Sequence, residues 1–368
     1  MQSAFVQGSQ VKIISGLGNR ILLKWFANLG LTTFMTDSEK ALDFMRSSHP
    51  MGELVSRAPV FVMNGQLSGD FDYFYTPFKG LHDLLIKAGG KFVSLDLEGD
   101  LKFPVILIVG AKQKAENAFF LASALKMASE DGVVMVSLEN DRGGKSLDKL
   151  FEELGCPFQS FSKHKSRIVW TTRPQMANPQ KVEDYIKSGS ICQRSDGTYT
   201  RPGIFSWDRL DKGTKTFIEN VAPDWRGTGA DFGGGCGDLS KSILEKAPEL
   251  NKLYVLEHDV RAVDCARANL RQFDGRTQVE WVNILKDDLP RNLDFIVMNP
   301  PFHEAKLESI TLGQSFIRRG SSSLKKAGRL TLVANVHLPY EKIMSEEFNQ
   351  IEQIAAQSGF KIVTGLKK

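Results

Sequence analysis

At 368 residues the chain is longer than one ordinary domain and predicts two. A hydrophobic fraction of 42% beside 24% charged residues fits a soluble globular protein, and a net charge of +4 with a pI near 8.7 is compatible with a nucleic acid partner but too small a bias to prove one. No apolar run reaches the length of a membrane span, no secretory leader is read at the start, and Cys156, Cys192, Cys236 and Cys265 show no metal-ligand or disulfide spacing. A reduced, cytoplasmic protein is expected.

In chain order, Ile13-Ile14-Ser15-Gly16-Leu17-Gly18 hints at a nucleotide loop but lacks the third glycine and a downstream acid, so it reads as a turn. Pro59–Met63 and Phe92–Leu95 read as short strands and Leu81–Ala88 as a helix; the aromatic run Phe71–Tyr75 reads as core rather than as a base-stacking surface. From Pro104 the pattern sharpens: strand 104–109, helix 114–129, strand 133–138. The same strand, turn, helix, glycine, strand order recurs at 294–335, which predicts an internal duplication with Gly110-Ala111-Lys112-Gln113 at the place of Asn299-Pro300-Pro301-Phe302. Gly143-Gly144-Lys145-Ser146 resembles the end of a phosphate loop, but Glu139 stands where the pattern needs glycine, so a triphosphatase is rejected. Arg142 and Lys145 are left between RNA contact and a solvated loop. Lys163, Lys165 and Arg167, with Arg173 near, would share one face of a strand as a positive stripe, a pattern that a solvated sheet face also gives. Residues 175–197 read as the linker, with the boundary near 185, giving domains 1–185 and 186–368.

The second half reads as a doubly wound sheet, with strands near 229–232, 253–257, 279–282, 294–298 and 329–335 alternating with helices near 239–247, 260–272 and 307–326. Gly229–Gly237 (GADFGGGCG) is a glycine-rich strand-to-helix turn in the register Asp231-x-Gly233-x-Gly235-x-Gly237. A carboxylate at that strand end repels a pyrophosphate and can pair with a cationic ammonium such as that of S-adenosylmethionine. The next strand ends at Glu257, placed to hold ribose hydroxyls, and the third at Asn283, placed to read an adenine edge. The apolar strand Phe295–Met298 runs into Asn299-Pro300-Pro301-Phe302. Two prolines stiffen this turn and remove two backbone donors, which frees the Asn299 amide and the Pro300 carbonyl for a planar group bearing an amine, with Phe302 as a wall. Taken alone, the turn reads equally as an Asn cap for the following helix.

The order DxGxGxG, acid, Asn and NPPF on four strand ends resembles class I S-adenosylmethionine-dependent methyltransferases of amino nitrogens. With Arg201–Gly213 (RPGIFSWDRLDKG) and Val333–Tyr340 (VANVHLPY), it resembles the ribosomal RNA small subunit methyltransferase C family, guanine-N2 enzymes, over nearly all of 200–368. The amino half resembles it more weakly, chiefly through Val133–Leu147. The resemblance implies an α/β fold of two tandem Rossmann-like domains, each a mostly parallel seven-stranded sheet with helices on both faces, the first a degenerate copy kept for structure or RNA positioning. The last strand, near 360–366, is expected to insert antiparallel. It implies S-adenosylmethionine as cofactor and 16S rRNA or the small subunit as substrate, with a monomeric enzyme expected. Asp231 would answer the cofactor ammonium, Gly233, Gly235 and Gly237 pass the methionine part, Glu257 hold ribose, Asn283 contact adenine, and Phe205 and Ser206 line the pocket from outside the sheet. Asn299, also at the cofactor, and Pro300 would accept the hydrogens of the target amine while Phe302 stacks on the base; His303, next to the turn, reads either as a relay for the departing proton or as a hydrogen bond to the loop. Two departures stand out: Phe232-Gly233-Gly234 replaces the usual valine-glycine-cysteine, read as added flexibility, and Glu257 replaces aspartate. A methyltransferase of protein glutamine or DNA adenine, and a noncatalytic RNA-binding or assembly factor, are the alternatives.

Overall fold

The computed structural model describes residues 35–48, 59–66, 71–95, 101–300 and 307–368. The glycine turn at 13–18 lies outside these, as do Pro301, Phe302 and His303. In the amino half the elements are α1 (Asp37–Ser48), β1 (Val60–Met63), β2 (Tyr73–Tyr75), α2 (Lys79–Lys87), β3 (Lys91–Phe92), β4 (Phe103–Val109), α3 (Lys114–Met127), β5 (Ala128–Glu139), α4 (Ser146–Glu153), β6 (Gln159–Lys163), β7 (Ser166–Thr171) and α5 (Pro179–Ser188). A short hairpin follows, β8 (Cys192–Gln193) and β9 (Tyr199–Thr200). The second half contains α6 (Lys212–Asn220), β10 (Gly227–Phe232), α7 (Asp238–Lys246), β11 (Leu250–Glu257), α8 (Val260–Leu270), β12 (Thr277–Trp281), β13 (Leu293–Met298), α9 (Leu307–Ser323), β14 (Leu324–Asn335), α10 (Glu341–Glu347), β15 (Phe348–Gln357) and β16 (Phe360–Lys367).

The two halves repeat one topology. One seven-stranded sheet runs β3-β2-β1-β4-β5-β7-β6 and the other β12-β11-β10-β13-β14-β16-β15. In each, the last strand of the chain inserts antiparallel between two others, as the resemblance implied for 360–366. Strand alternation feeds two cores per sheet. On β13, Ile296 and Met298 pack towards α9 and α10, while Phe295 and Val297 pack towards α6 and α7. On β4, Ile106 and Ile108 face α3 and α4, and Val105, Leu107 and Val109 face α1. The aromatic run at 71–75 is core, as expected: Phe74 and Tyr75 are buried.

Register corrects the internal alignment by one residue. Met63, ending β1, pairs with Ile108, and Phe232, ending β10, pairs with Met298. Val109 therefore stands in the amino half where Asn299 stands in the second, one position earlier than the alignment that begins at Gly110. The basic stripe also dissolves. Lys163 ends β6 with its ammonium over the Phe44 ring, Lys165 lies in the turn with φ of 55°, and Arg167 on β7 is bound to Asp148 at 2.6 Å and to Ser160. The run is a hairpin turning at His164 and Lys165, so the alternation of a single strand does not apply across it. Helix α5 runs through the boundary expected near 185 and packs on α3.

Candidate active site

The glycine loop leaves β10 and enters α7 at the carboxyl edge of the sheet, beside the neighbouring ends of β11 and β13. Its amides fold back on the sheet, Gly233 and Gly234 both donating to the Leu256 carbonyl at 2.8 and 3.2 Å. Gly237 caps α7 at φ of 88°, a left-handed conformation that side chains resist. Gly234, read from sequence as added flexibility, is a packing requirement instead: a Cβ there would lie 2.4 Å from Val255 Cγ1. The mouth of the loop stays open, since a Cβ on Gly235 would meet nothing within 4 Å.

Two carboxylates at neighbouring strand ends, Asp231 in the lining of the cleft and Glu257 bonded to the loop at Gly235, are in different electrostatic states. Asp231 is buried and accepts a 2.6 Å bond from Ser240 Oγ. Burial pushes its pKa up to about 7 against that bond, with the nearby Glu257 charge adding to the rise. Glu257 is also buried, and burial alone would raise its pKa. The His258 ring 2.7 Å from Oε1 and the amides of Asp259 and Gly235 outweigh that and hold it below the usual glutamate value. Its Oε2 takes the Gly235 amide at 2.8 Å, which ties the acid to the loop.

Asn299 lies across the cleft, at the end of β13. Its Nδ2 donates to Asp211 Oδ2 at 2.9 Å and to Thr214 Oγ1 at 3.0 Å, while its Oδ1 is buried with no hydrogen-bond partner among the described residues. A carboxylate can only accept from the amide, so Asp211 fixes which end of Asn299 points away from it. The result is a buried, unspent acceptor held in one orientation. Asp211 is itself fixed as the N-cap of α6, accepting from the Thr214 amide.

Phe205, Ser206, Asp211, Thr214, Asp231, Gly233, Gly235 and Asn299 line one open cleft. Phe205 is exposed at 57%, and Ser206 sits at φ of 52° with its carbonyl taken by the buried Arg194. Pro300 is buried beside Asn299. Asn283 lies two residues past β12, where its Oδ1 caps its own turn by accepting from the Leu285 amide at 3.1 Å, so its side chain is engaged locally. Asp211, Thr214 and Ser240 were missed as site residues. Asp211-Lys212-Gly213-Thr214, at the end of the quoted motif and one residue past it, does carry a helix N-cap signal, but its use in orienting Asn299 requires the 88-residue contact that only the fold makes.

Comparison with known proteins agrees with this arrangement. Residues 197–364 match the family described as Methyltransferase small domain. The chain is 27% identical over 304 residues to ribosomal RNA small subunit methyltransferase C of Psychromonas ingrahamii, covering 81% of this chain and 84% of that one. It is 30% identical over 253 residues to the protein of the same name from Salmonella newport, covering 68% and 72%. Among solved structures, T. thermophilus 16S rRNA N2 G1207 methyltransferase in complex with AdoMet and guanosine superposes with a TM-score of 0.70 over 88% of this chain and 93% of that one, at 16% identity, which establishes a shared two-sheet fold. The sequence relationship and the glycine loop, acids and Asn-Pro turn on one sheet edge lead to the same conclusion: the chain belongs to the ribosomal RNA small subunit methyltransferase C family.

Proposed function

We propose that the chain transfers a methyl group from S-adenosylmethionine to the exocyclic N2 of a guanine in small-subunit ribosomal RNA. The observation that carries this reading is the buried Oδ1 of Asn299, which has no hydrogen-bond partner among the described residues and is held in one orientation by Asp211 and Thr214 beside the glycine loop. The site residues fit the donor. Asp231 is a buried carboxylate with no cationic partner among the described residues, which suits an ammonium; Glu257 is ionised and suits ribose hydroxyls; the open face at Gly235 leaves room for the methionine part. When bound, the sulfonium supplies an electrophilic methyl, so no covalent nucleophile or metal is required of the protein.

The protein's task is then to make a weak nucleophile attack. An aryl amine has its lone pair delocalised into the ring. Asn299 Oδ1 and the Pro300 carbonyl would accept its two hydrogens and favour a pyramidal nitrogen, stabilising the transition state more than the ground state. Holding the amine in line with the methyl adds the benefit of proximity. Phe302 is assigned to stack on the base, and Asn283 with its loop to border the adenine. The methylated amine is acidic enough to lose its proton to water, so His303 need only hydrogen-bond the loop. The guanine has to leave its stack to reach the turn.

The amino half, residues 1–185 with α5 completing it, serves as a structural and RNA-positioning domain. The enzyme is read as a cytoplasmic monomer, a reading supported by the two halves already pairing with each other; no helix among the described residues is long and apolar enough to cross a membrane. The test is to incubate the protein with isotope-labelled S-adenosylmethionine and, separately, small subunits, large subunits and naked ribosomal RNA lacking the modification, then to digest to nucleosides for mass spectrometry. Labelled N2-methylguanosine from small-subunit RNA is expected. Label in N6-methyladenosine or in protein, or bound cofactor with no transfer, would overturn the proposal.

A further inference from the structure

The two halves meet through equivalent loops. β2 in the first sheet and β11 in the second hold the same place in the strand order, and each is followed by a helix. The N-caps of those helices, Phe78 of α2 and Asp259 of α8, form an antiparallel bridge, with Val260 donating to the Pro77 carbonyl and Lys79 to the His258 carbonyl, both at 2.9 Å. The bridge therefore lies directly on the segment that carries Glu257.

Side chains extend the contact to both loops assigned to the nucleoside. The Phe78 ring stacks on His258 with centroids 5.5 Å apart and planes 14° apart, and His258 Nδ1 is 2.7 Å from Glu257 Oε1. Two residues further on, a Cβ on Gly80 would lie 2.9 Å from Asn283 Nδ2. Lys79 Nζ is 3.7 Å from Asp287 Oδ2, and that oxygen accepts the Asn283 amide at 2.8 Å. Beneath the stack, Arg261 is buried and joins Asp259 to Glu116 of α3, which anchors the bridge to the body of the amino half.

We infer that Phe78, Lys79 and Gly80, at the start of α2 in the amino half, are positioning residues for the nucleoside end of the cofactor site in the second half. Phe78 acts through His258 on Glu257; Lys79 and Gly80 act on the Asn283 loop. None of the three is itself placed to touch the reacting atoms. A carboxylate that must meet two ribose hydroxyls gains from being held in one rotamer before binding, and His258, which remains exposed, has the Phe78 ring stacked against it. The degenerate half thus contributes to cofactor affinity from outside the cleft. This rests on the cofactor reading given above.

The test uses the full-length chain and measures the dissociation constant for S-adenosylmethionine, turnover at saturating cofactor, and thermal stability. Phe78→Ala is expected to weaken cofactor binding about tenfold while turnover at saturation stays within twofold, and Phe78→Tyr, which keeps the ring, to restore binding. Wild-type protein should bind S-adenosylhomocysteine more tightly than its 2′-deoxy analogue, and that preference should shrink in Phe78→Ala, a change that general loosening would not produce. Gly80→Ala, which presses on Asn283 alone, should weaken binding several-fold with an unchanged melting temperature, and it carries the test if Phe78→Ala fails to fold. Binding within twofold of wild type in the folded variants, or a loss confined to turnover, would overturn the inference. A wild-type chain that bound no S-adenosylmethionine would overturn the cofactor reading itself, and this inference with it.

Discussion

The turn after β4 and the turn after β13 are built on the same strand, helix and strand, yet they treat their polar atoms in opposite ways. In the amino half Val109 occupies the position of Asn299 and fills the groove beside it: a Cβ on Gly65 would come within 2.2 Å of Val109 Cγ2, and the Val109 carbonyl is taken by Asn64 Nδ2 at 3.1 Å. The following residues close on themselves, with the Ala111 amide bonded to Asn117 Oδ1 at 2.6 Å and Asn117 Nδ2 bonded back to the Ala111 carbonyl at 2.8 Å. In the second half two donor bonds hold Asn299 by one end, and its Oδ1 has no partner among the described residues. Topology alone therefore does not make a site. A buried acceptor without a partner costs stability, and Asn299 Oδ1 stands at the position where a substrate amine would supply one.

The largest expected effect tests that unspent acceptor. Asn299→Ala should lower methyl transfer by roughly two to four orders of magnitude while cofactor affinity stays within a few-fold. Equal losses in both would remove the division of roles between the turn and the glycine loop. Next comes its orientation: Asp211→Ser keeps an N-cap for α6 but removes the carboxylate, and should reduce turnover about tenfold to a hundredfold. Single-turnover rates at saturating cofactor read this directly, and unchanged rates would mean that Thr214 suffices.

A smaller effect concerns Asp231. Its pKa in the free protein is about 7, and a cationic ammonium beside it favours the ionised form, so binding below that pH requires release of a proton. Cofactor affinity should then be flat above about pH 7 and fall by up to roughly tenfold per unit below it. Titration calorimetry in buffers of different ionisation enthalpy would detect the proton, and a flat profile down to pH 6 would remove the ammonium assignment. The smallest effect on catalysis is expected in the amino half. Asn117→Ala breaks the closed turn and should cost about 1–3 kcal/mol of stability, with turnover unchanged below the melting transition.

Much of this was legible in the sequence because the relevant physics is local. Glycines followed by a helix, acids at strand ends and an apolar run before a proline each show within ten residues where a strand gives way to a turn; β10 to β13 lie within three residues of the expected places, β14 begins five residues early, and β15, exposed along most of its length, was not expected. The antiparallel β16 came from resemblance, since no local pattern in a strand reveals its direction. What escaped was contact at long range. Asp211 meets Asn299 across 88 residues and Phe78 meets His258 across the two halves. The β6–β7 hairpin defeated the charge-stripe reading for a related reason, since a turn within the run exchanged one strand face for two.

The central claim is that one copy of a duplicated fold is a working site and the other is closed by its own side chains. Counting bound S-adenosylmethionine per chain at equilibrium tests it most directly. One site is predicted, lost on Glu257→Ala. Two sites per chain, or one that survives Glu257→Ala undiminished, would contradict the account.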